Sequence, residues 1–263
     1  MIFSVSTVGL INLLLIAAGI GVCGLCLLQI TGSNHLRIEL RRSFQVFFAF
    51  IILYISAHMA RELMDGLKGD GVRFALYAVT FTEMFAAALM AYQMSVLVLT
   101  VSIPDRRCKP LHLTYFLILC AHAALMVADR FCNIIYYFDN SNVYHRGSVY
   151  LLSNLAPIAM LIIDMILLVK YRKNIDKTVK LAFWVYMIAP LFAAVVQIAF
   201  YGVQFIIFAT VGAAVYMFAV IVQNQNEEYE KQRLENTRIE TELNMASIRV
   251  FSSRCFSYSS FWF

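Results

Sequence analysis

Residues 181–223 read LAFWVYMIAPLFAAVVQIAFYGVQFIIFATVGAAVYMFAVIVQ, and none of these more than forty side chains carries a charge. A single helix needs only about 20 apolar residues to cross the roughly 30 Å hydrocarbon layer of a bilayer. We therefore expect the stretch to fold back on itself at Gly202 and to form two membrane spans. At Asn224 the sequence becomes rich in charged and amide residues, which predicts that a polar helix follows.

The composition of the whole chain agrees with a membrane protein. Hydrophobic residues make up 61% of it and charged residues 14%, whereas soluble domains are about 45–50% apolar and about 25% charged. Long apolar runs indicate helices, because lipid requires the backbone hydrogen bonds to close within each segment. We predict an all-α membrane protein with seven transmembrane helices followed by a cytoplasmic linker helix. The predicted spans cover about residues 8–30, 44–62, 74–101, 111–129, 149–169, 181–200 and 203–223.

The basic residues predict the orientation of these spans. The first, third and fifth connecting segments contain eleven Lys and Arg residues, and the second, fourth and sixth contain five. Segments rich in Lys and Arg stay in the cytoplasm, so the amino terminus is predicted outside and the carboxyl terminus inside. Because the net charge of +5 arises from these short segments, we expect the lipid bilayer, and no nucleic acid, as a partner.

Several polar side chains fall inside the predicted spans, where an unpaired charge is costly. Most lie in the outer half of the layer, and we predict that they form an outward-facing ligand-binding pocket for an unknown small molecule or ion. The alternative is that they only join helices by hydrogen bonds. Asp164 lies apart from them in the inner half. The predicted pocket residues are His58, Arg61, Glu83, His122, Asn154, Gln197 and Gln204, with Asn12 at the same depth.

The sequence shows no set of residues that indicates catalysis, a cofactor or a metal site. A retinal protein needs a lysine in its last span, and residues 203–223 contain none. The five histidines lie at different predicted depths, so no zinc ligand set is expected from them. We expect that the chain itself is not an enzyme.

The region after the last span divides into two predicted parts. Residues 224–248 form a polar helix in which Ile239, Leu243 and Ala246 follow the a/d spacing of a weak coiled coil. This pattern fits either a solvated helix or a signal-transmitting linker that pairs two copies of the chain as a homodimer. Residues 249–263, RVFSSRCFSYSSFWF, are predicted to be an unstructured, aberrant or truncated tail.

The longest outer segment, residues 131–148, reads FCNIIYYFDNSNVYHRGS. Asp139 to Asn142 have the composition of a turn. Tyr136 and Tyr137 are interpreted as interfacial aromatic residues, although the segment also has the length of a lid over an outer pocket.

The residues YYFD at 136–139 and NVYHRG at 142–147, with the charged helix that follows the spans, resemble a family of input modules. These seven-helix modules belong to bacterial membrane signalling proteins and precede diguanylate cyclase, histidine kinase or serine/threonine phosphatase domains. Glu242 to Ala246 is similar to the short helix before phosphatase domains of the sporulation type, and the similarity stops at Arg249. The resemblance covers roughly residues 1–248 and includes no effector domain.

The resemblance implies a sensory module in the bacterial inner membrane. Residues 1–223 would form the sensor domain and would couple the outer pocket to a cytoplasmic signalling domain absent from this chain. The alternative function is a small polytopic transporter, for which Asp164, Pro157 and Pro190 are the supporting features. A structural membrane protein without a ligand is the third possibility.

Overall fold

A computed structural model describes residues 7–33, 36–103, 109–199 and 204–259, without the side chains of residues 7–8, 70, 194, 197–199 and 247–259. The described chain is almost entirely helical. Its elements in chain order are α1 (Thr7–Gly32), α2 (Ile38–Met64), α3 (Asp70–Ser102), α4 (Lys109–Cys132), β1 (Tyr136–Phe138), β2 (Tyr144–Arg146), a 3₁₀ helix (Tyr150–Asn154), α5 (Leu155–Lys170), α6 (Lys177–Ala199) and α7 (Phe205–Ser259).

Six helical segments in the described ranges are long and apolar enough to cross a membrane, namely α1 to α4, the 3₁₀ helix together with α5 (Tyr150–Lys170), and α7. The chain is therefore an all-α, multi-pass membrane protein, and its apolar helices indicate a lipid bilayer environment. α6 lies where the sixth span was predicted but is not one of these six. The turn predicted at Gly202 lies outside the described residues.

The helices pack around α2 and α3, which share the most extensive contact in the structure. α1 lies against α2, while α4 and α5 lie against α3. Phe44 and Phe48 of α2 make edge-to-face contacts with Phe218 of α7, with ring centroids 5.2 and 5.6 Å apart. Such aromatic pairs contribute about 0.5–1.5 kcal/mol beyond the area they bury. The apolar core thus holds α2 in the centre of the bundle, and the polar residues of α2 are held with it.

The segment after α4 forms a β-hairpin rather than an irregular loop. Tyr136, Tyr137 and Phe138 pair with Arg146, His145 and Tyr144 in an antiparallel register. The turn predicted at Asp139 to Asn142 is confirmed, since Asp139 Oδ1 accepts hydrogen bonds from the amides of Ser141 and Val143 at 2.8 and 3.0 Å.

The interpretation of Tyr136 as an interfacial residue is wrong. Its side chain is only 3% exposed, because alternation along β1 turns it onto α3 and α4, while Tyr137 on the opposite face is 42% exposed. The hairpin therefore has an inner face that packs on the helices and an outer face that is accessible.

The chain divides into two compact units, Met1–Val220 and Ile221–Phe263. The second unit is helical as far as it is described, and the side chains of residues 226–246 are exposed along it. Ile239 and Leu243 are 48% and 64% exposed, and Ala246 is exposed as well. These linker residues are thus accessible in the single chain, which leaves their predicted pairing with a second copy open.

The predicted unstructured tail is wrong for residues 249–259, because α7 extends to Ser259. The sequence from Asn224 to Ser259 contains no Gly or Pro. Once a helix is nucleated, each added residue forms one hydrogen bond for one ordered residue, so no internal breaker stops the extension. Residues 260–263 lie outside the described chain.

Candidate functional site

Three of the predicted pocket residues meet between α2 and α3, and we name them the ion triad: His58, Arg61 and Glu83. His58 and Arg61 are three residues apart on α2, a spacing that places both on one helix face. Glu83 of α3 lies opposite, with Oε1 2.7 Å from His58 Nδ1 and Oε2 accepting a hydrogen bond of 2.7 Å from Arg61 Nε. Both carboxylate oxygens of Glu83 therefore contact side chains of α2.

The ion triad is nearly closed to solvent. The side chains of His58, Arg61 and Glu83 are 6%, 13% and 14% exposed. The opposite charges of Arg61 and Glu83 compensate each other, which is required because an isolated buried charge is costly. Arg61 also lies 3.3 Å from Glu62, which faces outward and is 47% exposed.

The two ring nitrogens of His58 differ in their hydrogen bonding. Nδ1 lies 2.7 Å from Glu83 Oε1 and 3.1 Å from Arg61 Nη2. We assign a hydrogen to Nδ1, because the carboxylate oxygen is the nearer of the two and only accepts. The other nitrogen, Nε2, is buried and has no hydrogen-bond partner in the part of the chain that the structure describes. The ion triad therefore carries an unused hydrogen-bonding atom, as a site that receives a further group would.

The hairpin reaches over this site. The guanidinium of Arg61 lies 4.9 Å from the centroid of the Tyr144 ring, a cation–π geometry. The amide of Tyr144 donates to Asp65 Oδ1 at 2.9 Å, and Asn142 Nδ2 donates to the carbonyl of Leu67 at 2.8 Å. The hairpin is thereby attached to the segment between α2 and α3, and Tyr144 contacts the ion triad directly.

Asp129, at the end of α4, fixes the other side of the hairpin. Its Oδ1 accepts hydrogen bonds from the amides of Ile134 and Ile135 at 2.8 and 2.7 Å, and its Oδ2 accepts one from Tyr136 at 3.3 Å. The side chain is 3% exposed. Sequence reasoning missed Asp129, although an acidic residue at the end of an apolar run and just before a turn-rich segment was an available signal.

An apolar cluster lies beneath the hairpin on the side of α3 and α4. Arg130 stacks over the Tyr77 ring of this cluster, 4.1 Å from its centroid. The cluster consists of Leu76, Tyr77, Met126, Ile135, Tyr136 and Phe138.

Tyr144 packs against this cluster and is partly buried there. Burial raises the pKa of Tyr144 above its ordinary value, so its hydroxyl stays protonated at neutral pH.

The remaining predicted pocket residues lie elsewhere. His122 Nε2 is 3.4 Å from the carbonyl of Met84, next to Glu83 in the chain, and its Nδ1 is buried without a partner among the described residues. Asn154 is exposed at the end of the 3₁₀ helix. The backbone amide of Gln204 donates a hydrogen bond to Asn12 Oδ1 at 3.2 Å. The side chain of Gln197 is outside the described part. Of the seven predicted residues, the structure brings three into mutual contact.

Within residues 7–33, 36–103, 109–199 and 204–259, no group of three His, Cys, Asp or Glu side chains is arranged to hold a metal ion. Comparison with protein-family models, curated proteins and solved structures found no match to this chain. The function must therefore be argued from the residues themselves.

Proposed function

We propose that the chain is the sensory module of a bacterial membrane signalling protein. The observation that supports this most is the ion triad beneath the hairpin. A buried carboxylate shared by two basic side chains joins α2 to α3, and a lid residue, Tyr144, contacts the same arginine. Ionisable groups inside a membrane bundle are costly and usually functional.

In this proposal a small molecule or ion acts by competing for the ion triad. An anionic group would pair with Arg61, and a cationic group would pair with Glu83; either one weakens the link between α2 and α3. Nε2 of His58, which has no hydrogen-bond partner among the described residues, offers a third contact. A ligand shifts the equilibrium between two helix packings only by its difference in affinity for them.

The signal would leave through α7. This helix contains both Phe218, which packs against α2, and the exposed residues Ile239 and Leu243 of the linker. We propose that the linker pairs with that of a second copy and passes the change to a cytoplasmic output domain. This assignment includes seven spans in the inner membrane, with the amino terminus outside and the carboxyl terminus in the cytoplasm.

A chimera tests the proposed function. A diguanylate cyclase domain of known activity is fused behind the full chain, and its product is measured in inverted membrane vesicles. We expect Glu83→Gln to change the output about 5-fold or more, since coupling free energies between sites are typically about 1–3 kcal/mol.

Glu39→Gln is the matched control, because Glu39 forms an exposed ion pair with Arg37 at 3.8 Å in the same helix as His58 and Arg61. A correctly inserted chimera in which Glu83→Gln and Glu39→Gln both keep the parental output would contradict the sensory proposal.

A small transporter is the second candidate, and one observation favours it. Asp164 is a fully buried carboxyl group within α5, and such groups mark proton relays in transporters. Flux of candidate solutes into vesicles, compared between the parent chain and Asp164→Asn, tests this function. Sensing without transport predicts no flux in either.

A further inference from the structure

A second polar cluster lies inside the bundle, on α3, α4 and α5. Asp164 of α5 is 1% exposed, and each of its carboxyl oxygens contacts one hydroxyl group. The hydroxyl of Tyr115 on α4 lies 2.5 Å from Oδ1, and the hydroxyl of Ser95 on α3 lies 2.8 Å from Oδ2. Three helices thus meet at one carboxyl group.

Within the described part of the chain, no basic side chain compensates Asp164. The ion pairs found among the described residues do not include it, in contrast to Glu83 of the ion triad. Of the elements packed against α5, α4 contributes the titratable Tyr115 and α3 the neutral Ser95. In the described part of the 3₁₀ helix and of α6, no charged group interacts with the carboxyl. An ionised Asp164 would be an unpaired charge in the interior of a membrane bundle.

The hydrogens of this cluster can be counted. Ser95 Oγ also lies 3.1 Å from the carbonyl of Ala91, but a hydroxyl has a single hydrogen to donate. If Asp164 is ionised, Ser95 must choose between the carboxylate and the Ala91 carbonyl. If Asp164 is protonated at Oδ2, that O–H donates to Ser95 Oγ, Ser95 donates to Ala91, and Tyr115 donates to Oδ1. The protonated state therefore uses every one of these contacts.

The distances identify both contacts of the Asp164 carboxyl group as hydrogen bonds. The oxygen–oxygen separations of 2.5 and 2.8 Å are ordinary O–H···O hydrogen-bond lengths.

We propose that Asp164, Tyr115 and Ser95 form a binding site for a single proton in the interior of the bundle. The bound proton links α5 to α3 through Ser95, while Tyr115 links α5 to α4. Loss of the proton leaves a buried negative charge, which favours a packing that admits water or a cation. The site is separate from the ion triad and does not depend on whether the module senses or transports.

Infrared spectroscopy of the full chain in vesicles of ether-linked lipids, which lack the ester carbonyl band of ordinary phospholipids, tests the site directly. A protonated carboxylic acid has a carbonyl stretching band that an ionised one lacks. We expect the parent chain to show such a band at neutral pH and Asp164→Asn to lack it. Tyr115→Phe should move the band to higher frequency, because the carbonyl oxygen loses its hydrogen bond.

Asp139→Asn is the control, since Asp139 is a partly exposed carboxylate of the hairpin and its removal should leave the band unchanged. Absence of the band from the folded parent chain at neutral pH, or its persistence in Asp164→Asn, would overturn the proposal.

Thermal unfolding gives an independent readout. An asparagine at position 164 reproduces the protonated hydrogen-bond pattern, with its amide donating to Ser95 and its carbonyl accepting from Tyr115. We expect the unfolding midpoint of the parent chain to fall with rising pH relative to that of Asp164→Asn, as the bound proton is lost. Equal pH dependence of the two chains would contradict the site.

Discussion

Glu83 occupies a position where one side chain holds two helices together through both of its oxygens. Replacing it by alanine leaves Arg61 buried at 13% exposure without its main counter-charge. Removing one partner of a buried ion pair costs about 3–5 kcal/mol. We therefore expect Glu83→Ala to lower the unfolding midpoint of the purified protein strongly, and Arg61→Ala combined with Glu83→Ala to recover part of the loss in a double-mutant cycle.

The control for this prediction is the ion pair of Arg238 and Glu242 on α7, whose side chains are 78% and 59% exposed. Exposed pairs four residues apart on a helix contribute only about 0.3–0.5 kcal/mol. Glu242→Ala should thus leave the midpoint almost unchanged. Equal effects of the two alanine substitutions would mean that the ion triad does not stabilise the bundle.

Gly147 is the residue after β2 at which no side chain fits. A Cβ atom built there would lie 2.1 Å from the carbonyl oxygen of Ile134, whereas a Cβ on Gly21 meets nothing within 4 Å. Overpacking typically costs about 1–3 kcal/mol. In the parent chain the amide of Gly147 donates a hydrogen bond to the carbonyl of Ile135 at 2.7 Å. We expect Gly147→Ala to displace the hairpin and to increase deuterium uptake at the amide of residue 147. Gly21→Ala should leave uptake by the hairpin unchanged.

Among single residues, the sequence allowed Arg61 and Glu83 to be assigned to one polar group, because charged residues within apolar runs need partners. Ser95 and Tyr115 could not be anticipated, since hydroxyl residues are common in membrane helices and only the packing of α3 and α4 on α5 shows which ones reach Asp164. Asn154 was assigned to the pocket from depth alone, and depth does not determine which way a side chain faces.

The hairpin is the element whose geometry was least visible in the sequence. Its strands have three residues each, too few for alternating polarity to indicate a strand. The turn at Asp139 to Asn142 was readable from composition, but the role of Asp129 was not, because it depends on three amides that follow the end of α4. Local turn chemistry was thus predictable, and the attachment of the turn to the helices was not.

Asp139 gives the hairpin a defined dependence on pH. The hydrogen bond from His145 is the main cause that lowers the pKa of Asp139, and the amides of Val143 and Ser141 add to it. A lowered pKa means that the carboxylate stabilises the turn above its ordinary pKa of about 3.9, and that this contribution is lost as the pH falls through the lowered value.

The amides of Ser141 and Val143 report this loss. We expect their protection from deuterium exchange, corrected for the intrinsic rate, to fall on acidification in the parent chain. Asp139→Asn cannot titrate, so its protection should stay constant over the same range. A parallel decline in both chains would assign the acid sensitivity to another group.

For the whole molecule, composition was sufficient to predict a helical membrane protein, because lipid permits few other ways to satisfy the backbone. The ends of the helices were harder to predict. The second span was expected at 44–62 and α2 runs from Ile38 to Met64, since charged first and last turns extend a helix beyond its apolar part. The tail from Arg249 was misjudged for another reason: residues 249–259 lack a regular pattern but also lack any residue that ends a helix.

The number of times that the chain crosses the membrane depends on whether α6 is a membrane span. If α6 crosses the membrane, Lys173 before it and Asn236 on α7 lie on the same, cytoplasmic side, because two spans separate them. If α6 does not cross, only α7 separates them and they lie on opposite sides.

We expect reporters that are active only in the cytoplasm to be active when inserted at Lys173 and when fused after Asn236, and inactive when inserted after Asn140 at the tip of the hairpin. Activity at Lys173 without activity after Asn236 would reduce the bundle to six spans and place the linker outside the cell, where it has no cytoplasmic output domain to reach.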